Sequence, residues 1–240
     1  MRLVYIYHSG FAIEADGFAI IIDYYKDSSS DYGKGVLHDY FLKCAKPLYV
    51  LSSHAHPDHF NPEILTWKQQ NPEIQYIFSR DILRRRGVTE NDAHFLEKGT
   101  VFGDENLNIR AFGSTDIGIS FLIETEDKKI FHAGDLNNWH WKEESTPEEV
   151  QQSESLFLSE LNDISHFTNA VDVAMFPVDP NLGRDYMLGA QQFVRRIRTD
   201  LFVPMHFGTK YKQAVAFKSY AEKAGAHFFT ISHKGETIDI

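Results

Sequence analysis

Residues 51–60, "LSSHAHPDHF", place three histidines and one aspartate within six consecutive positions, from His54 to His59. The apolar run 49–53 just before them is typical of a short buried strand. The pair "NP" at 61–62, just after them, indicates the N-cap and first turn of a helix. These side chains are therefore predicted to lie in a loop at a strand-to-helix junction.

The spacing inside this loop predicts convergence of its polar side chains. His54 and His56 are two positions apart, so in extended backbone both project to the same side. Pro57 sets a bend that allows Asp58 and His59 to face the same space. Imidazole nitrogens and carboxylate oxygens suit zinc, and also manganese or iron. So dense a cluster predicts a metal site rather than a set of surface histidines.

The composition is that of a soluble globular protein. The chain has 240 residues, of which 42% are hydrophobic, and we expect one domain over 1–240. Its formal net charge of −10 would repel polyanions, so nucleic acid is not an expected partner. The arginine runs at 84–86 and 195–198 are interpreted as solvated faces.

Other classes of protein are disfavoured by what the sequence lacks. A single cysteine, Cys44, leaves no intrachain disulfide and no cysteine-rich zinc site. No stretch has the apolar length of a membrane span, so no membrane partner is expected. The N-terminus has no recognisable export signal, and we expect the protein in the cytoplasm.

Apolar periodicity predicts an α/β fold made of layers. Aspartate and glycine at 16–17 indicate a hairpin between the second and third predicted strands. Strands are expected at 3–7, 11–15, 18–23, 49–53, 74–79, 107–112, 119–125, 129–134, 171–178, 201–205 and 227–232. Helices are expected at 62–70, 155–164, 189–198 and 214–225, with a polar segment at 142–154.

The "HAHPDH" run resembles the HxHxDH signature of the metallo-β-lactamase superfamily, and the resemblance continues along the chain. "YHSGFAIEADGFAIIIDYY" (7–25) is similar to the opening hairpin of that superfamily, with Asp23 at the strand exit. "FHAGD" resembles a later motif with Asp135, and "VPMHFG" resembles the last motif with His206. The resemblance implies a four-layer αββα sandwich with the metals at one edge. The layout is nearest to compact lactonase-like members similar to ascorbate-6-phosphate lactonase.

The resemblance also implies a dinuclear metal centre with two divalent ions, zinc first and manganese or iron as alternatives. Two such ions lower the pKa of a shared water and polarise the bond under attack. Asp58 would bind metal, orient the resulting hydroxide and accept its proton. The implied ligands are His54 and His56 for one ion, Asp58, His59 and His206 for the other, and Asp135 as the bridge.

One motif departs from the superfamily pattern. Where members carry a third histidine for the first ion, this chain has Ser114, within "GSTDIGISFLIE" (113–124). Three outcomes stay open: Asp116 supplies an oxygen, His140 moves in from the loop after the bridging aspartate, or the first ion is held loosely or lost. Oxygen in place of nitrogen favours manganese or iron over zinc.

Further candidates surround the expected site. The polar and aromatic segment 137–141 would line a pocket, with His140 as a proton donor to the leaving group, or would simply pack in the core. His8 is a candidate for a substrate contact or a hydrogen-bonded core position. Asp179 and Arg184 would reach the pocket mouth, although a surface ion pair is the common outcome for such an arginine.

The leading interpretation is a metal-dependent hydrolase that uses a metal-bound hydroxide to cleave a small ester, lactone or phosphodiester. Antibiotic hydrolysis is disfavoured because no export signal is visible. A metal-dependent nuclease or RNA-processing enzyme is an alternative from the same superfamily. A non-catalytic metal-binding domain is a second alternative, which the serine at 114 keeps open. The sequence does not indicate the oligomeric state.

Overall fold

The structure, a computed structural model, describes residues 1–240 and contains fourteen strands in two sheets. The strands are β1 (Arg2–Tyr7), β2 (Gly10–Glu14), β3 (Ala19–Ile22), β4 (Leu48–Ser52), β5 (Gln75–Ser79), β6 (His94–Leu96), β7 (Val101–Gly103), β8 (Leu107–Phe112), β9 (Ser120–Thr125), β10 (Lys128–His132), β11 (Ala170–Pro177), β12 (Arg198–Met205), β13 (His227–Phe228) and β14 (Thr237–Asp239).

Helices cover the outer faces of both sheets. They are α1 (Val36–Asp39), α2 (Arg80–Arg85), α3 (Pro147–Phe167), α4 (Leu188–Arg196), α5 (Tyr211–Val215) and α6 (Lys218–Lys223), with 3₁₀ helices at Phe41–Lys43, Pro62–Gln69 and Pro180–Leu182. None of these helices combines the length and the apolar character that crossing a bilayer requires.

Each sheet has seven strands and is half parallel and half antiparallel. The first has the order β14-β1-β2-β3-β4-β5-β6, and β3 to β6 run parallel. The second has the order β13-β12-β11-β10-β9-β8-β7, and β10 to β13 run parallel. Because neighbouring parallel strands end at the same edge, the loops after β4, β10, β11 and β12 can bring their side chains together.

Strand β3 shows why the sheets are stacked between helices. Ile20 and Ile22 belong to a core of 47 buried residues that fills the space between the sheets and continues under α3 and α4. Ile21 faces the opposite side, in a second core of 20 residues under α2 and the 3₁₀ helix Pro62–Gln69. A sheet that is apolar on both faces must be covered on both. The predicted αββα sandwich is confirmed.

Two predicted helices differ in extent. The predicted helix at 155–164 begins earlier, at Pro147, because Thr146 and Glu149 form a capping box; the polar segment before it is therefore partly helical. The predicted helix at 214–225 is divided into α5 and α6. Between them the amides of Ala216 and Phe217 bond carbonyls three residues back, which interrupts the α-helical pattern.

Two other predictions need correction in type or length. The predicted helix at 62–70 is a 3₁₀ helix, although its start is as expected, since the Asn61 side chain accepts the Glu63 amide at 3.0 Å. The predicted strand at 227–232 pairs with β12 only over β13. The remaining short elements, such as β6 and β7 with three residues each, are too short to show a period in the sequence.

His38 ties the segment before β4 to the 3₁₀ helix that follows the histidine loop. Its Nδ1 lies 2.7 Å from Asp27 Oδ2, and its Nε2 lies 2.6 Å from Glu63 Oε1. Burial by itself lowers the pKa of His38, but the hydrogen bonds and charges of the two carboxylates outweigh burial, and the net pKa is raised. His38 is therefore a cationic link between two acids.

The stability conferred by His38 should fall as pH rises. A raised folded-state pKa means that the contribution is complete below the ordinary value of 6.5 and is lost as pH rises through the higher folded value. We expect the melting temperature difference between wild type and His38→Gln to be largest near about pH 6 and to shrink at alkaline pH. Melting curves recorded from acidic to alkaline pH test this prediction, with His227→Gln, at an exposed position, as the control. A melting temperature difference that grows with pH would contradict the cationic role of His38.

Candidate metal centre

The first cluster of ligand-type atoms combines the histidine loop with two aspartates from the second sheet. Atoms of His54, His56, Asp116 and Asp135 all lie within 4.8 Å of one another. His54 Nε2 is 3.4 Å from Asp135 Oδ2, and His56 Nδ1 is 3.2 Å from Asp116 Oδ2. Asp116 precedes β9, whose start lies at the same edge as the end of β10. Asp116 therefore lies beside His54 and His56. Ser114 has no imidazole that could act as a third nitrogen ligand there.

The second cluster lies on the other side of Asp135. It contains His8, Asp58, His59 and His206, again with ligand atoms within 4.8 Å of one another. His59 Nε2 and His206 Nε2 are 3.1 Å and 3.4 Å from Asp135 Oδ1, while Oδ2 of that carboxylate faces the first cluster. Asp135 therefore stands between the clusters and directs one oxygen to each.

Several buried atoms of these clusters have no hydrogen-bond partner. They are His8 Nε2, His54 Nε2, His59 Nε2 and Asp135 Oδ1. Buried polar atoms are almost always satisfied, so four orphans at one place require an explanation. Imidazole nitrogens and a carboxylate oxygen that point inward are the donor set of a divalent cation. The residues present fit a metal centre.

The charges of the clusters keep the carboxylates ionised. Burial alone would raise the pKa of Asp135, but the charges of His59 and His206 outweigh burial and hold the pKa well below its usual range. The pKa of Asp58 is also far below normal, because burial is outweighed by the imidazole of His8, whose Nε2 lies 3.2 Å from Oδ2, and by the charge of His59. Both side chains are therefore anionic at neutral pH, the form that binds metals.

Asp23, at the exit of β3, orients His59. Its fully buried carboxylate accepts hydrogen bonds from Ser53 N at 2.7 Å and from Ser53 Oγ at 2.6 Å, and it lies 2.7 Å from His59 Nδ1. The same serine hydroxyl lies 3.0 Å from His54 Nδ1. With Nδ1 engaged in both rings, each Nε2 is free to face Asp135.

His206 has an equivalent partner in Asp179. Nδ1 of His206 is 3.0 Å from Asp179 Oδ2, and the aspartate is buried. The prediction that Asp179 reaches the pocket mouth is therefore corrected: it lies behind the histidine and orients it. Arg184 does not reach the site either, since its side chain is 88% exposed and pairs with Glu143.

Helix α2 and the residue after it bind the histidine loop through hydrogen bonds to the backbone of Ala55, which lies between His54 and His56. Ala55 N donates to Asp81 Oδ2 at 2.9 Å, and Arg86 Nε donates to Ala55 O at 2.6 Å. The third residue of the arginine run is thus used inside the protein rather than as a solvated face. Sequence reasoning missed both partners, because no local pattern links positions so far apart.

Backbone strain is concentrated at this edge of the fold. Only five residues other than glycine have positive φ, and four of them surround the clusters: His8 (59°), Asp23 (48°), Trp141 (41°) and His206 (62°). Such conformations are costly for side chains larger than glycine and persist where the surroundings hold them. The carbonyl of His8 accepts the amide of His206 at 3.1 Å, which joins the ends of β1 and β12.

The loop after Asp135 lines the site through Trp139, not through His140. Trp139 Nε1 donates to the carbonyl of Asp135 at 2.8 Å, and its ring lies 5.4 Å from that of His206. His140 is buried outside both clusters, where its Nδ1 accepts the amide of Lys142 at 3.1 Å. The expectation that His140 moves in as a ligand or proton donor is not met, because its ring faces backbone groups.

Comparison with known proteins places the chain in one family. A family model described as a β-lactamase superfamily domain matches residues 2–206. A metal-dependent hydrolase of Desulforamulus reducens is 25% identical over 260 residues, covering 100% of both chains. Among solved structures, Igni18, a metallo hydrolase from Ignicoccus hospitalis, has a TM-score of 0.68 at 21% identity and covers 99% of this chain and 97% of its own.

A more distant structure shares the fold. CmlA, a diiron β-hydroxylase from Streptomyces venezuelae, has a TM-score of 0.69 at 13% identity and covers 100% of this chain and 54% of its own. The family match extends from the first strand through His206, and it therefore includes every residue proposed as a metal ligand from the resemblance. The chain belongs to the β-lactamase superfamily, and the predicted membership of its metallo-β-lactamase group is confirmed.

Proposed function

We propose that this protein is a metal-dependent hydrolase that cleaves a small ester, lactone or phosphodiester, and that residues 1–240 form one catalytic domain. The observation that carries the proposal is the position of Asp135, whose two oxygens face two separate clusters of metal-ligating atoms. Two divalent cations held there would lower the pKa of a water molecule and polarise the bond under attack.

The proposed ligands follow the two clusters. His54, His56 and Asp116 would hold the first cation, Asp58, His59 and His206 the second, and Asp135 both. His8 also lies in the second cluster, where its Nε2 is 3.2 Å from Asp58 Oδ2. The first set would bring two nitrogens and two carboxylates, and the carboxylates favour manganese or iron more than a third imidazole would. CmlA, which shares the fold over 54% of its own chain, is a diiron enzyme, and this supports iron as an alternative to zinc.

Asp58 is the proposed proton acceptor. Its side chain is 37% exposed, so water and substrate can approach the carboxylate from the solvent side. On the inner side it lies beside His8, and its Oδ2 is 3.9 Å from Nε2 of both His59 and His206. An ionised carboxylate in this position can orient a water molecule and take its proton. Trp139 would form an apolar wall beside the bond that is cleaved.

Replacement of Asp116 tests the first set of ligands. Asp116→Ala and His56→Ala should each lower the metal content from two ions towards one per chain and weaken loading of the first position by more than about 100-fold, the upper end of what loss of a supporting group costs. Asp116→His, in contrast to Asp116→Ala, should bind two ions per chain, and its metal preference should shift from manganese towards zinc. Asp127→Ala, an exposed aspartate in the turn before β10, is the control and should change neither the number of ions nor the metal preference. Elemental analysis after loading with each metal is the measurement.

Turnover measured beside metal content separates the possible functions. We expect the loaded wild type to hydrolyse at least one of a chromogenic ester, a lactone and a general phosphodiester, and the two alanine variants to lose this activity. Full loading without turnover of any of the three would favour a non-catalytic metal-binding domain. Turnover of RNA alone would favour the nuclease alternative. Two ions in Asp116→Ala would remove Asp116 from the ligand set.

A further inference from the structure

We propose that the substrate carries a negative charge apart from the bond that is cleaved, and that Lys26 and Lys234, on a pair of tyrosines beside the second cluster, bind this charge. The proposal rests on the hydrolase function above and names the class of its substrate: an ester, lactone or phosphodiester with a carboxylate or phosphate substituent. We call Tyr7, Tyr25, Lys26 and Lys234 the tyrosine-lysine rim.

The rim lies directly beside the metal-ligating residues. Tyr7 ends β1 and Tyr25 follows β3, at the edge of the sheet that carries the clusters. Their rings stack with centroids 5.9 Å apart, and they lie 6.2 Å and 6.4 Å from the ring of His8. The His8 ring is in turn 4.2 Å from that of His206. One aromatic ring therefore separates each lysine from the second cluster.

Both lysines are held near the site but are not neutralised there. Lys26 Nζ lies 4.4 Å from the centroid of Tyr25, and Lys234 Nζ lies 4.3 Å from that of Tyr7. Neither ammonium is within 4.0 Å of a carboxylate, unlike Lys46 and Lys142, which pair with acids elsewhere on the surface. A cation over an aromatic ring keeps its charge and its N–H donors. Both can therefore bind an anion without breaking an ion pair.

The surrounding charges make this rim selective. The chain has a formal net charge of −10, which disfavours the approach of anions in general. The carboxylates of Asp58, Asp116 and Asp135 would offset most of the charge of two divalent cations. The two lysines thus add positive charge beside the clusters that no carboxylate pairs with.

The aromatic residues on the Trp139 side do not share this property. Trp139 and Trp141 stack with ring centroids 6.4 Å apart, and no lysine or arginine lies over either ring. The nearby ammonium of Lys142 is paired with Asp185 at 2.8 Å. The site therefore offers an apolar contact through the indoles and a cationic contact through the tyrosines. A substrate with an apolar part and a separate anionic group matches both.

A matched pair of substrates tests the rim. For metal-loaded protein we compare p-nitrophenyl butyrate, which is neutral, with the p-nitrophenyl monoester of glutarate and a phosphate-bearing aryl ester. In the double variant Lys26→Met/Lys234→Met, KM for the anionic esters should rise about 10-fold or more, with kcat unchanged, because two charge-assisted contacts are lost. Kinetics on the butyrate should not change. Lys34→Met/Lys223→Met, with both lysines exposed and unpaired, is the control.

A binding measurement keeps this proposal separate from the hydrolase function. Calorimetric titration of the metal-free wild type with benzoate and with neutral benzamide should show tighter binding of benzoate, and the rim variant should lose this difference. Without metal, the benzoate carboxylate cannot bind a cation in place of the lysines. If the wild type hydrolyses none of the esters but the rim variant still loses benzoate binding, the hydrolase function fails and the rim stands. Benzoate binding, or the preference for anionic esters, that is unchanged in the rim variant would overturn the rim.

Discussion

Asp135→Ala is expected to abolish hydrolysis and to leave the protein with at most one tightly bound metal ion. The carboxylate is the only group that faces both clusters, with His54 on one oxygen and His59 on the other. Its removal also leaves the buried imidazole of His54 without its nearest carboxylate, whereas His59 keeps Asp23 at its Nδ1. Loss of an interaction worth several kcal/mol in the transition state corresponds to a decrease in kcat/KM of about 1,000-fold or more.

The measurements for Asp135→Ala are kcat/KM on the best substrate of the wild type and the number of metal ions per chain. Asp127→Ala, an exposed aspartate in the turn before β10, is the matched control and should match the wild type in both. Asp135→Asn keeps the shape of the side chain and should still lose one ion, since an amide is a poor bridge between cations. Two ions and normal turnover in either Asp135 variant would refute the dinuclear arrangement.

Asp23→Ala is expected to have the largest effect on stability. The carboxylate is fully buried and serves both polar groups of Ser53 together with the ring of His59. Without it, these groups stay buried and lose their shared acceptor. Removing one partner of a buried, hydrogen-bonded charge pair costs about 3–5 kcal/mol, so we expect this decrease in the free energy of unfolding. Metal affinity should fall about 10–100-fold, because His59 is no longer held in place.

Urea unfolding with a chelator present measures the stability of Asp23→Ala apart from metal binding, and competition with a chromogenic chelator measures affinity. Asp23→Asn, which preserves volume, should retain the fold and still bind metal more weakly. Asp16→Ala, exposed in the hairpin between β2 and β3, controls for the loss of an aspartate. Unchanged affinity in Asp23→Asn would show that the aspartate supports the fold alone.

Local spacing in the sequence was sufficient for the histidine loop and most of the strands. Ligand-type residues one or two positions apart in a loop must lie near one another, and strand residues alternate between faces with a period of two. Elements that lacked a strong period were missed or misjudged. The early start of α3 had a signal in the sequence, the pair Thr146 and Glu149 with proline between them, but its first turns have no apolar stripe.

Partners from distant segments were harder to predict. Asp116 and His140 were both candidates to replace the histidine ligand that is absent at Ser114. No pattern in the sequence indicates which of the two side chains lies near His56. Asp179 lies 27 positions before His206, and the sequence did not indicate that it would bond the histidine from behind. Such choices depend on loop conformation and on distances through space.

The sequence by itself determined the layered α/β fold and the histidine loop, because periodicity and short spacing are local properties of a chain. Asp135 and His206 were indicated by the resemblance of their motifs to those of the superfamily. Only the tertiary structure decided that Asp116 stands beside His54 and His56, that Asp23 and Asp179 orient the histidines, and that two lysines lie on the tyrosines next to them. The contact of Asp116 with His56 joins the two sheets, and the others join chain segments at the ends of different strands of one sheet, so their distances exist only once those strands have packed.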